Sequence, residues 1–305
     1  MSTNFAYTLA LCTHNHADRL AKTLHSLGAL RHSQFPFELL VVNNASTDGT
    51  AEILEQTGWQ PQGVPVRVVI ENKLGLSNAR NRAIAEARGD YIIFLDDDET
   101  PDPDWLREYE QAIRDWRPDA LGGRIEVLFE GGERPRWLQE ELLGFIGKLS
   151  HGPVPKVLSH LSTPIFGGNF GFRKAIFEQI GTFDADLGRR GGDNTGGEDT
   201  EIYRRMVYAG MKVRWVPDAV IYHRIESPKL RKSYFLDLHY RQGRMEGHRR
   251  RGAASRLPPL FLLPQLGRAF SAAAKRRIRQ GSDQSLRLEM NVAYFVGFIL
   301  GWAFS

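Results

Sequence analysis

Apolar and polar positions alternate in blocks along the first third of the chain. Tyr7 to Cys12 is a short apolar run that breaks into Thr13, His14 and Asn15, and a helical pattern follows with Leu20, Leu24 and Leu27 on one face. Phe37 to Val42 repeats the arrangement, ending in Asn43, Asn44, Ala45 and Ser46 before a second helix. Val66 to Glu71 is a third run; Asn72, Lys73 and Gly75 follow it, and Ser77 opens a helix through Ala87. Tyr91 to Leu95 is a fourth, β-branched and aromatic enough for a strand buried on both faces. Strands alternating with helices across short connections predict a mostly parallel sheet flanked by helices. In such sheets ligands bind beyond the carboxyl ends of the strands. All four polar clusters sit at those ends, which predicts one pocket fed by four loops.

The fourth run ends in Asp96, Asp97, Asp98 and Glu99. Carboxylates packed so closely raise one another's pKa unless a cation or strong donors hold them ionised. On an extended backbone Asp96 and Asp98 would project to one side and Asp97 to the other, presenting an Asp-x-Asp pair to a single ligand. Such hard oxygen ligands suit Mg²⁺ or Mn²⁺ shared with substrate phosphates. A solvated acidic turn before a helix beginning near Asp104 is the alternative.

The turn after the first strand, CTHNHAD, has no glycine, so it carries neither the dinucleotide fingerprint nor a Walker loop. The loops offer amides and hydroxyls instead: Thr13, Asn15, Asn43, Asn44, Ser46 and Asn72 can hydrogen-bond a base and ribose. Arg80, on the third helix, can reach a base edge or phosphate, or serve as surface. Asp104 to Trp116 reads as a helix and Leu121 to Phe129 as a strand. Glu130 to Pro164 is rich in Gly and Pro and suits acceptor loops. Ile165 to Arg173 resumes strand character, and Gly167 and Gly168 mark a close backbone approach to a neighbour or to an acceptor, with Asn169 beside them. Gly188 to Gly197 is crowded with glycine and ends in Glu198 and Asp199, which open a helix running to Gly210. A helix N-terminus stabilises carboxylates as anions, which predicts a low pKa for both. The spacing of Asp184, Asp186 and Asp193 does not fit an EF-hand. Lys212 to Tyr222 is then a strand ending in His223.

Composition narrows the class. The 305 residues are 42% hydrophobic, ample for a core, and Cys12 is the only cysteine, which excludes an internal disulfide and suits a reducing compartment. The first residues lack the basic n-region of a signal peptide, so a cytoplasmic protein is expected. Charge is uneven. Lys229 to Arg279 holds 14 Lys or Arg against Asp237 and Glu246, a net of +12, so that the rest, out of a total of +4, carries −8. Leu230 to Arg251 reads as an arginine-rich helix, Leu257 to Gly267 is apolar with three prolines, and Met290 to Ser305 carries no charge. That last stretch is short of the roughly 20 residues needed to span a bilayer. Cations beside apolar segments suit an anionic membrane surface at the inner face of the cell membrane, or helices that pack on the catalytic domain or a second copy. They do not form the aromatic platform of a nucleic-acid binder.

The ordered set CTHN, VVNNASTDGT, ENKLGLSNARN, GDYIIFLDDDE, FGGNFGFRK and GGEDTEIYRRM, then a strand ending in His223, resembles the inverting glycosyltransferases of family two, which have the GT-A fold. The resemblance covers Tyr7 to His223. It implies a catalytic domain, taken as 1–228; the charge and apolar pattern make 229–305 a helical, basic and apolar extension. It also implies that Thr13, Asn15, Asn43 and Arg80 line the nucleoside pocket, with Asn44, Ser46, Asn72 and Asp97 on the donor side. Asp96 would touch the ribose side and Asp98 would hold the metal, with Asp96 and His223 completing its site. Asp199 would be the catalytic base with Glu198 as neighbour, and Gly168 and Asn169 would lie in the acceptor region. Many members carry an aspartate where this chain has Asn43, which leaves the base open: UDP first, with GDP or dTDP as the others. The activity implied is metal-dependent transfer from a nucleotide-diphosphate sugar to a glycan or lipid-linked acceptor, with the glycine-rich segment as a lid, in polysaccharide or glycolipid synthesis. A nucleotidyltransferase on a related sheet is the competing enzyme class, although CTHNHAD lacks its Gly-rich arginine loop; a non-catalytic nucleotide-sugar-binding scaffold is the other.

Overall fold

Tyr7–Thr13 (β1), Phe37–Asn44 (β2), Val66–Glu71 (β3) and Tyr91–Asp96 (β4) are the four expected strands, and Ala17–Leu27 (α1), Thr50–Glu55 (α2) and Leu76–Glu86 (α3) are the helices between them. The structure, a computed structural model, describes residues 5–31, 35–56, 58–191, 196–251 and 259–304. Two compact units divide it: 1–126 with 148–224, and 127–147 with 225–305. A single cut near residue 228 therefore misses the segment 127–147, whose Leu138, Leu142, Leu143 and Ile146 share a core with Phe235, Leu286 and Met290.

In the first unit β1 pairs in parallel with β2 and β4, and β2 with β3. Every residue of β1 and β2 is buried, while β3, at the sheet edge, alternates between half-buried and exposed. The chain continues through Glu99–Pro101 (β5), Trp105–Trp116 (α4), Ala120–Phe129 (β6), Lys156–Leu158 (β7), Phe170–Arg173 (β8), Ile176–Ile180 (α5), Glu198–Tyr208 (α6) and Val213–Ile225 (β9). The strand order is β3-β2-β1-β4-β8-β6-β9-β5, with β7 also on β9. Beyond β4, β4 with β8, β8 with β6, β9 with β5 and β9 with β7 all pair antiparallel, so the sheet is mixed rather than mostly parallel. The change falls where β8 returns beside β4 with Phe172 opposite Ile92 and Phe170 opposite Phe94. Phe94, Phe170, Phe172 and Phe183 form an aromatic cluster there, with ring centroids 4.6–6.2 Å apart, mostly edge to face.

In the second unit Lys232–Arg250 (α7) and Ser282–Ala303 (α9) pack through glycines on both sides, and Leu262–Gln280 (α8) packs on α9. A Cβ on Gly243 or Gly247 of α7 would lie 2.0 Å from the Tyr294 carbonyl oxygen or 2.1 Å from that of Phe298; on Gly297 or Gly301 of α9 it would lie 2.0 Å from that of Tyr240 or 1.9 Å from that of Arg244. Backbone therefore meets backbone along this seam, the small-xxx-small geometry of close helix pairs. No described helix is long and apolar enough to cross a membrane. Of the glycine-rich segment before α6, residues 192–195 lie outside the described residues, as do Leu257 and Pro258 of the apolar stretch.

Candidate active site

The acidic cluster is a turn, not an extended strand, and the turn sends its three aspartates to three partners. Asp96 ends β4, Asp97 and Asp98 make the turn, and Glu99 starts β5, which lies antiparallel to β9 with Glu99 opposite His223. Asp98 Oδ2 is 3.3 Å from His223 Nε2. Asp97 is buried and takes His16 Nδ1 at 3.0 Å, which raises the His16 pKa. Asp96 faces Arg80 at 3.3 Å. Its N–H donates to Glu99 Oε2 at 3.0 Å, and burial, with the charges of Asp96 and Asp98 adding, pushes the Glu99 carboxyl well above the ordinary range.

Arg224, which sequence reasoning did not single out, fixes this turn. It is buried, and its backbone N–H donates to the Asp98 carbonyl at 3.0 Å. Its Nη1 donates to the Glu99 carbonyl at 2.7 Å, and its Nη2 to the Arg19 carbonyl at 2.9 Å and the Asp97 carbonyl at 3.2 Å. The Thr23 hydroxyl lies 2.8 Å and 2.9 Å from the Asp97 and Glu99 carbonyls. Three distant segments thus converge on one short turn. An arginine at the end of a basic-looking strand carries no local signal of that role, since the contact depends on strand pairing.

Arg80 is not the free base- or phosphate-reaching arginine its helix position suggested. It is 1% exposed, and its guanidinium lies 5.1 Å from the Phe170 ring and 5.5 Å from the Phe183 ring. Nη1 donates to Glu198 Oε1 at 2.9 Å and Nη2 to Asp96. A Cβ on Gly167 would come within 2.1 Å of Arg80 Nη2, and one on Gly168 within 1.8 Å of Glu99 Oε1. The two glycines therefore admit the site's own charged side chains, and Gly168 is occupied by Glu99 rather than by an acceptor. Asn169 is a further correction. It is fully buried, with Oδ1 accepting from Trp105 at 2.8 Å and Tyr109 at 2.6 Å, and Nδ2 donating to the Arg124 and Ala219 carbonyls at 2.8 Å and 2.9 Å. No polar atom of that amide is left for a substrate.

Glu198 and Asp199 open α6 as expected, with Glu198 buried against Arg80 and Asp199 half-buried. Asp199 Oδ2 accepts the Gly167 N–H at 3.2 Å and Oδ1 the Thr200 N–H at 2.8 Å. Its pKa is nevertheless raised to about 6, by burial first and by the Glu198 charge second, with Arg80 pulling the other way. The helix N-terminus alone would have lowered it; desolvation beside a second carboxylate outweighs that.

The polar loops at the ends of β1 and β2 bond mainly to each other. Asn15, at φ +52°, accepts the Thr47 N–H at 2.7 Å, and its own N–H donates to the Ser46 hydroxyl at 3.1 Å. Asn44 donates to the Glu71 and Lys73 carbonyls at 2.9 Å each and accepts the Gly75 N–H at 2.8 Å, so its amide stitches loops and does not read a base. Asn43 Oδ1 accepts the Ser46 N–H at 3.2 Å, and its Nδ2 has no protein acceptor among the described residues. Thr13 is buried at the end of β1, and Asn72 is exposed after β3.

Among the described residues no group of three or more His, Cys, Asp or Glu is arranged to hold a metal. With Asp96 turned to Arg80, Asp98 and His223, 3.3 Å apart, are the two of the expected metal ligands that still face each other.

The family model described as Glycosyl transferase family 2 matches residues 8–181, and one described as the N-terminal domain of galactosyltransferase matches residues 158–229. The succinoglycan biosynthesis protein ExoM of Rhizobium meliloti (strain 1021) is 25% identical over 242 residues, 78% of this chain and 73% of that protein. The glycosyltransferase AglE of Haloferax volcanii is 30% identical over 119 residues, 39% of each. Among solved structures, the mannosyltransferase PcManGT of Pyrobaculum calidifontis in complex with GDP-Man and Mn²⁺ matches with a TM-score of 0.60 at 17% identity, covering 97% of this chain and 86% of that one. S. aureus TarS 1-349 in complex with UDP-GlcNAc matches with a TM-score of 0.55 at 15% identity, covering 97% and 90%.

Proposed function

The chain belongs to glycosyl transferase family 2 and is a glycosyltransferase; on that premise we propose that it moves a sugar from a nucleotide-diphosphate donor to an acceptor hydroxyl with inversion. The observation that supports this reading is the clamp of Arg80 on Asp96 and Glu198, which ties the acidic turn to the residue next to Asp199. Asp199 is the base. Its Oδ takes the proton of the acceptor hydroxyl as that oxygen bonds to the anomeric carbon and the bond from that carbon to the diphosphate breaks on the opposite face. A carboxylate with a pKa near 6 is mostly ionised at neutral pH yet basic enough to accept the proton, the compromise that general-base catalysis favours. Glu198, held by Arg80, keeps that pKa up by its charge.

Asp98 and His223 would hold Mg²⁺ or Mn²⁺, which when bound neutralises charge on the leaving diphosphate. Asn43 offers Nδ2 to a carbonyl of the base, and Asn72 and Thr13 border the same strand ends. UDP is the first donor class to test, then GDP and dTDP: the similar solved structures include one in complex with UDP-GlcNAc and one in complex with GDP-Man. The acceptor is a glycan or lipid-linked glycan in polysaccharide or glycolipid synthesis, and the protein works as a peripheral one on the inner face of the cell membrane. The test is thermal stabilisation by a panel of nucleoside diphosphates and sugar nucleotides with Mn²⁺, Mg²⁺ or EDTA. A metal-dependent shift for one nucleotide, followed by stereochemical analysis of the product, supports the proposal. A product retaining the donor's configuration removes the role of Asp199 as base.

A further inference from the structure

Helix α8 divides into three longitudinal faces. Leu262 and Ala273 are buried on the side that packs on α9. Leu263, Gly267, Phe270, Ala274 and Ile278 recur at steps of four, three, four and four residues, which sets them on a second face. Nothing among the described residues covers it: Leu263, Phe270 and Ile278 are 57%, 64% and 85% exposed, and Leu260 and Phe261 just before the helix are 78% and 62% exposed. Arg268, Lys275 and Arg279 recur at steps of seven and four on the third face. The helix has five Lys or Arg and no acidic residue; of the five, Arg277 is paired with Glu289 at 3.0 Å.

Large apolar side chains aligned in the open, beside a row of cations, define a surface that needs a partner apolar at depth and anionic at its rim. From Leu263 to Ile278 the stripe is about 22 Å long at the rise of an α-helix, a length that lies along a surface. We propose that α8 is an interfacial helix that seats on an anionic lipid bilayer, with Leu263, Phe270 and Ile278 among the acyl chains below the headgroups and Arg268, Lys275 and Arg279 against lipid phosphates. The partner rests on the peripheral placement proposed above, and the choice of face rests on α8 itself. Charge complementarity selects lipid over a second copy: lipid phosphates neutralise Arg268, Lys275 and Arg279, whereas a second α8 brings five more cations and no acidic residue.

The test uses the full chain and vesicles of phosphatidylcholine with or without a minority of phosphatidylglycerol. The chain co-sediments with the anionic vesicles only, and salt weakens the binding. Phe270→Glu with Ile278→Glu abolishes co-sedimentation, and Arg268→Gln, Lys275→Gln and Arg279→Gln together weaken it roughly a hundredfold. These side chains are exposed, so the variants keep wild-type melting and nucleotide binding. A second readout uses Ile278→Cys carrying an environment-sensitive dye, because the only native thiol, Cys12, is buried: its emission shifts to the blue on anionic vesicles. Binding by wild type that survives the Glu substitutions overturns the assignment of α8 while leaving peripheral attachment standing. Absence of wild-type binding overturns both. A dimer in light scattering that becomes monomeric with the Glu substitutions overturns the lipid assignment and gives the face to a second copy. Donor binding, measured without vesicles, tests the transferase reading separately.

Discussion

Arg80 and Glu198 form an ion pair at 2.9 Å in which the two side chains are only 2% and 6% exposed. Removing one partner of such a pair strands the other charge away from water. Arg80→Met is expected to destabilise the first unit by about 3–5 kcal/mol, measured by urea denaturation. Arg80→Lys does not rescue it, because one ammonium cannot reach both Glu198 and Asp96 with the geometry of a guanidinium.

With Asp199 as the proposed base, the ionised form would be the active one, so kcat/KM should rise with pH through about 6 and level off above 7. Asp199→Asn should lower kcat by about 10²–10⁴ with donor binding retained, and the limb near 6 should vanish from the residual activity.

The same shift acts on stability with the opposite consequence. A carboxyl whose folded pKa lies above its unfolded value favours the fold when protonated, so its contribution is complete below about pH 4 and lost as pH rises through 6. Asp199→Asn, which keeps an acceptor for the Gly167 N–H, should therefore melt higher than wild type at pH 8, and the difference should close on acidification. A melting difference independent of pH would show that burial of this carboxylate carries no such cost.

Asp98→Ala should remove the metal-dependent part of the nucleotide-induced stabilisation. Ligand at about 100 times its dissociation constant adds about 2.7 kcal/mol, a shift easily read by melting. His223→Ala should reduce that part, and Asp96→Ala should leave metal affinity largely intact while weakening the Arg80 clamp. Isothermal titration with Mn²⁺ in the presence of the nucleoside diphosphate separates the three.

Gly247→Val and Gly301→Val should open the seam between α7 and α9, since each Cβ would lie within 2.1 Å of a carbonyl oxygen of the facing helix. Hydrogen exchange over Lys232–Arg250 and Ser282–Ala303 would accelerate strongly. Gly267→Ala, where no heavy atom of a neighbour lies within reach of a Cβ, is the control and should leave exchange unchanged.

The four strands ending in polar clusters were legible because fully buried strands read as unbroken apolar runs, and β1, β2 and β4 are of that kind. Glu198 and Asp199 were legible for a similar reason, at the start of a helix with a clear stop. The roles of individual polar groups were not. Asn169 and Asn44 look like ligand-binding amides in sequence, yet backbone carbonyls, N–H groups and, for Asn169, aromatic partners from distant segments use them up. Arg80 looked exposed because a helix surface is the usual place for arginine; an aromatic floor and two carboxylates draw it inward. The α7–α9 seam carries no such signal, because Gly243 and Gly247 sit among arginines, where glycine reads as a helix breaker.

Arg224 lies 125 residues beyond Glu99, whose carbonyl it binds. At ribosomal rates of about 5–20 residues per second, some 6–25 s separate synthesis of the acidic turn from synthesis of the arginine that shapes it. A nascent chain that already carries β1 to β4 therefore has the acids and their His16, Thr23 and Arg80 partners, but not the bonds from Arg224 and His223. The acidic turn is therefore complete only once the last strand has been made, and a chain that stops short of β9 keeps the acids without the clamp that Arg224 and His223 put on them.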